Sequence, residues 1–109
     1  MTKTVVIAGA TRTPMGGFQG DFAATPATEL GAAAIKGAVE NAGLSNDAID
    51  EVLMGCVLPA GLGQAPARQA ALGAGLPQST PCTTVNKVCG SGMKTVMTAH
   101  DQIIAGSQA

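Results

Sequence analysis

Cys89 sits in the stretch NKVCGSGMK, residues 86–94, between a short β-branched run and a long helical periodicity. Gly90 and Gly92 follow it closely. A thiol at a strand-to-helix turn meets unpaired backbone N–H groups and the partial positive charge of a helix start. Both favour thiolate over thiol, and the thiolate is the nucleophile. Glycines at such a turn permit a tight backbone and leave open space for a substrate. The competing reading is a buried cysteine that fills space as a small apolar side chain. Local sequence leaves both readings open.

A nucleophile needs a proton acceptor within about 3 Å. His100 follows Cys89 by 11 residues on the same expected helix. That separation is about 16 Å along a helix axis. His100 therefore does not activate Cys89 within one subunit. Its place on an apolar stripe makes it a packed or interface histidine. Asp101 and Glu51 are not obviously nearer, while Lys87 and Lys94 either assist electrostatically or face solvent. If Cys89 is catalytic, its proton acceptor lies on residues outside this chain or on a partner.

The other cysteines read differently. Cys56 lies in the apolar run EVLMGCV, and Cys82 stands beside Pro81 at a strand start. Each is expected to pack as a small apolar residue. The spacing from Cys82 to Cys89 matches no thiol redox motif, and the absence of a CxxC pair argues against zinc or any other metal site. After the first apolar run the chain reads GATRTP, which is not the dinucleotide fingerprint GxGxxG. No GxxxxGK[ST] phosphate loop occurs either.

The elements that would position Cys89 follow from hydrophobic patterning. Residues 4–9 (TVVIAG) read as a buried strand, followed by a glycine-rich polar loop. Thr25 is expected to cap a helix with Pro26 at its first position, running to about Ala42 and stopped by Gly43. Ser45 opens a short further turn. Residues 51–57 read as a second strand. A helix begins at Pro66 and ends near Gly75 or Pro77, and residues 82–86 form a third strand. From Ser91 onward Met93, Val96, Met97, His100, Ile103 and Ile104 share one helix face, packed or at an interface. That last helix is expected to run to the final residue without a cap, like a cut end. The order β-α-β-α-β-α predicts an α/β fold with a mainly parallel sheet and right-handed crossovers.

Bulk properties bound the function. A chain of 109 residues makes one small domain with a modest core. It is 46% hydrophobic, with 15 glycines and only Phe18 and Phe22 as aromatics, so tight packing through Ala, Gly and Val is expected. Low charge and high apolar content exclude a disordered chain. A net charge of −1 without a basic run argues against nucleic acid as partner. The N-terminal apolar run is too short for a signal-peptide core or a membrane span. A reduced, cytoplasmic, soluble protein is the expectation.

Three blocks, TRTPMGGFQGDFA, VLMGCVLPAGLGQAPARQAALGAGLP and VNKVCGSGMK, resemble the N-terminal part of the thiolases, close to the biosynthetic bacterial acetyl-CoA acetyltransferases. The likeness is collinear over essentially the whole chain. It implies that residues 1–109 are an incomplete N-terminal domain, one part of the first half of a layered αβαβα fold. It implies that Cys89 accepts the acyl group from an acyl-CoA thioester and that its backbone N–H helps bind the oxyanion. Acetyl-CoA and CoA would be substrates, with no separate cofactor. The resemblance also implies a tetramer or dimer whose subunits meet near residues 82–86. The family's GHP histidine, its water-holding Asn and its CxGGG cysteine are not found here, nor is most of the CoA-binding loop. Alone, the chain is then expected to be inactive or slow in self-acylation. Two other readings stand beside this one: a non-enzymatic α/β fragment that self-associates through open sheet edges, and a related condensing enzyme of the ketoacyl-synthase kind.

Overall fold

A computed structural model describes residues 3–108. Helix α1 spans Ala27–Ala42, a 3₁₀ turn spans Asn46–Ala48, and strand β1 spans Val52–Gly55. Helix α2 spans Pro66–Gly73, strand β2 spans Cys82–Val85, and helix α3 spans Ser91–Ala105. The strands pair in parallel with Val52 opposite Cys82 and Gly55 opposite Val85. Parallel strands require a crossover, and α2 supplies it.

Strand alternation sorts the layers. Val52 joins the core cluster of Ala71, Ala74 and Leu76, with Met54, Ala32 and Ile35 packed against it. That face of the sheet carries α1 and α2. Leu53 and Gly55 point to the opposite face, where Leu53 meets a cleft lined by Thr95 and Ala99, and Gly55 abuts the first residues of α3. The result is an α/β/α sandwich built on two short strands.

Small residues permit the close packing that composition predicts. A Cβ on Gly31 would lie 3.1 Å from Ala70 Cβ, and one on Gly73 would lie 3.1 Å from Ala32 Cβ. Helices α1 and α2 therefore approach through paired small side chains. Arg68, in the first turn of α2, ties the helix to the loop before β2, donating to the Thr80 and Gln78 carbonyl oxygens at 2.9 and 2.7 Å.

Three expectations are corrected. Residues 4–9 form no strand, because no neighbour among the described residues takes up their ladder bonds. Val6 and Ile7 are 73% and 79% exposed. The segment is instead anchored to α1, with Thr11 Oγ1 donating to Ala34 O at 2.8 Å and Asn41 Nδ2 to Ala10 O at 3.4 Å. The observed order of regular elements thus begins with α1 rather than with a strand. The cap of α1 is Pro26, not Thr25: Pro26 is extended at ψ 151° and stands just outside the helix.

The apolar face of α3 is turned away from the sheet, so of the two expected places for it packing inside the chain is not found. Met93, Val96, Met97, His100 and Ile104 face outward, while Ser91 and Thr95 are the buried residues of the helix. The side of α3 laid on the sheet is small and polar, because Gly55 and its neighbours leave little room there. Lastly, α3 does not run to the final residue. Gly106 closes it at φ 85°, its N–H bonding to Ile103 O. Gly43 closes α1 in the same left-handed conformation, as expected.

Candidate active site

The site is the loop between β2 and α3. Past Val85 the ladder continues by one bond, from Cys56 N–H to Val85 O at 2.9 Å. Asn86 then organises the turn: its Nδ2 donates to Val57 O at 3.2 Å, and its Oδ1 accepts from Val88 N–H at 3.0 Å. This is an Asx-type turn, in which an asparagine side chain substitutes for backbone. It fixes the loop to the end of β1 on one side and to Val88 on the other.

Val88 adopts φ 48°. A β-branched residue is rarely found there, and such a conformation costs about 1–3 kcal/mol. Ser91, only 3% exposed, lies beneath this turn. Its hydroxyl donates to Val88 O at 2.6 Å and accepts from Lys87 N–H at 2.9 Å. Two backbone bonds complete the knot, Gly90 N–H to Lys87 O at 3.0 Å and Ser91 N–H to Val88 O at 3.2 Å.

Cys89 is carried at the apex of this knot. It is exposed and free, and it directly precedes Gly90, the cap residue of α3. Its N–H takes part in none of the bonds just described. The packed-cysteine reading is therefore overturned for Cys89, and its expected place at a helix mouth is found. Gly92 has open space around its Cα, whereas Gly90 would set a Cβ only 3.5 Å from Lys87 O. The glycines were expected to carry the tight backbone; Val88 carries the positive φ instead. No residue-level signal marks such a valine in advance.

Gly55 sets where the helix mouth rests. A Cβ there would lie 2.7 Å from Gly92 N and 2.9 Å from Ser91 Cβ. Only a residue without a side chain lets α3 begin this close to β1. The spacing of Gly55 from Cys89 in sequence hides this contact, which arises from the pairing of two parallel strands.

The remaining candidates are not brought to the thiol. His100 is exposed on the outer face of α3, paired with its neighbour Asp101 through Nδ1 and Oδ1 at 3.1 Å. It is not packed inside the chain. Glu51 accepts from Gln102 and Gln108, at 3.5 and 2.9 Å, before the start of β1, at the opposite end of the parallel strands from Cys89. Lys87 is exposed and Lys94 half-buried. Cys56 and Cys82 are half-buried; Cys82 Sγ donates to Thr80 O at 3.4 Å and packs against the core. A cleft of about 370 Å³ between β1 and α3 is lined by Leu53, Thr95, Val96 and Ala99, and does not include Cys89. The arrangement holds an accessible thiol in a hydrogen-bonded loop, with no base hydrogen-bonded to it among the described residues.

Comparison with known proteins gives this loop a context. The family described as "Thiolase, N-terminal domain" matches residues 5–109. Mitochondrial acetyl-CoA acetyltransferase of Mus musculus is 60% identical over 104 residues, covering 95% of this chain and 24% of the relative. The Homo sapiens enzyme of the same name is 58% identical over 106 residues, covering 97% and 25%. Among solved structures, the Acat5 thiolase from Ascaris suum in complex with coenzyme A superposes with a TM-score of 0.89 at 39% identity, covering 92% of this chain and 26% of that one. The chain thus spans about a quarter of the length of the curated relatives it matches. With the family matched from residue 5 onward and the fold shared with a solved thiolase, the chain belongs to the thiolases, by way of their N-terminal domain.

Proposed function

We propose that this chain carries the acyl-accepting half of an acetyl-CoA C-acetyltransferase, with Cys89 as nucleophile. The carrying observation is the exposed Cys89 thiol on a loop locked between β2 and the start of α3. Its thiolate attacks the carbonyl carbon of acetyl-CoA. A new S–C bond forms, and the carbonyl electron pair moves to oxygen. The Cys89 N–H is the donor this chain offers to that oxyanion. Collapse of the intermediate breaks the bond to the CoA sulfur, which leaves as a thiolate and takes a proton. A second acetyl-CoA, having lost an α-proton, attacks the acetyl-cysteine to form acetoacetyl-CoA and release Cys89. Both proton acceptors lie outside this chain. Run in reverse, the same steps cleave acetoacetyl-CoA with CoA.

Residues 1–109 are then an incomplete N-terminal domain of a longer, duplicated enzyme. The finer assignment to the biosynthetic bacterial type rests on the sequence resemblance, and a cytoplasmic location on the cysteine usage. A dimer or tetramer is proposed on that resemblance, and the outward apolar face of α3 supports burial against further protein. Coenzyme A thioesters serve as substrates, consistent with the coenzyme A complex of the Ascaris suum relative.

Steady-state formation of acetoacetyl-CoA by the full-length protein tests the reading. A Cys89→Ser variant is expected to lose at least about 1000-fold in kcat with its fold intact. Wild-type turnover from that variant would overturn the proposal.

A further inference from the structure

We propose that Ser91 is a positioning residue for the reaction, holding Val88 in its left-handed turn so that Cys89 points to substrate. The inference rests on the reading of Cys89 as nucleophile. Three observations carry it. Val88, the residue immediately before the cysteine, stands at φ 48°, where a branched side chain is disfavoured. Such a conformation persists only where its surroundings over-determine it. The Ser91 hydroxyl is buried and bonded at both ends of that residue's turn, at 2.9 Å to Lys87 N–H and 2.6 Å to Val88 O.

A serine in the first turn of a helix is ordinarily satisfied by its own helix or by water. Here the hydroxyl reaches backward across Val88 and bridges the Asn86–Lys87 peptide N–H to the Val88 carbonyl. The bridge closes the loop on itself beneath Cys89. Without it, the Lys87 N–H and one lone pair of Val88 O lose their partners, and Val88 is free to return to φ below zero. That rotation swings the following residue, Cys89, away from the mouth of α3. Gly55 reinforces the arrangement from below, since it admits Ser91 directly onto β1.

The test uses the full-length protein and acetyl-CoA, reading the single-turnover rate of Cys89 acetylation together with the KM for acetyl-CoA. Ser91→Ala is expected to slow acetylation about 10- to 100-fold with KM changed less than about twofold, as for a nucleophile displaced by roughly 1 Å. In the double variant Val88→Gly with Ser91→Ala, glycine accepts positive φ without strain, and at least about tenfold of the loss is expected to return. Acetylation of Ser91→Ala at the wild-type rate overturns the proposal. So does a double variant that folds but recovers nothing, and this arm decides the matter if Ser91→Ala alone does not fold. A Cys89→Ala control separates the two claims: acetyl transfer persisting in that control sinks the nucleophile reading itself, whatever Ser91 does.

Discussion

The three cysteines of this chain differ in what surrounds them. Cys82 begins β2 and turns its sulfur back to the Thr80 carbonyl, while Cys56 follows β1 and lines a small cavity with Met54 and Leu62. Neither is presented to solvent as Cys89 is. Substituting Cys56 or Cys82 by serine is accordingly expected to leave acetoacetyl-CoA formation within about threefold of wild type, beside the loss expected for Cys89→Ser. Loss of transfer in either variant equal to that of Cys89→Ser, with the fold retained, would contradict the assignment. At this scale the sequence is informative about chemistry and silent about conformation. The block around Cys89 marks the thiol proposed as nucleophile, and helix arithmetic separates His100 from it. The strain at Val88 and the backward reach of Ser91 are invisible, because each depends on a loop geometry that no residue type announces.

Elements were legible where a local signal was strong. Pro66 opens α2, Gly43 stops α1, and β1 and β2 lie within the expected runs. Residues 4–9 have the composition of a strand but lack a pairing neighbour among the described residues. Apolar content predicts burial, and ladder bonds depend on a second segment that composition does not supply. The apolar stripe of α3 lies on one face as expected, but its cover was not legible for a related reason. Periodicity marks a face to be covered but does not say by what, and the sheet takes the opposite, small-residue face instead. Gly55 is the residue that makes this possible. A Gly55→Ala substitution places a methyl group 2.7 Å from Gly92 N. Overpacking of this kind is expected to destabilise by about 1–3 kcal/mol. Thermal unfolding of the full-length variant checks it. An unchanged transition with unchanged Cys89 acetylation would show that α3 does not rest on β1 as described.

The whole molecule is extended, 50 × 28 × 24 Å, and exposes 7285 Å². A folded monomer of 10.7 kDa exposes about 5500 Å² by the usual scaling. The surplus, about 1800 Å², is roughly twice what one partner buries in a standard protein–protein interface. Val6, Ile7, Leu58, Met93 and Val96 are among the apolar residues that contribute to it. Sedimentation of the isolated 109-residue chain is expected to show concentration-dependent association. A monodisperse monomer at high concentration would show that this surface needs no cover. The open apolar surface, the baseless thiol and the quarter-length match to relatives agree with one account: a nucleophile-bearing part of a larger acyl transferase. The most direct test is mass spectrometry of the full-length protein quenched during reaction with acetyl-CoA. An acetyl group confined to the peptide bearing Cys89, and discharged on adding CoA, is the predicted result. Acetylation at another residue, or turnover without any acetyl-Cys89, would contradict the account.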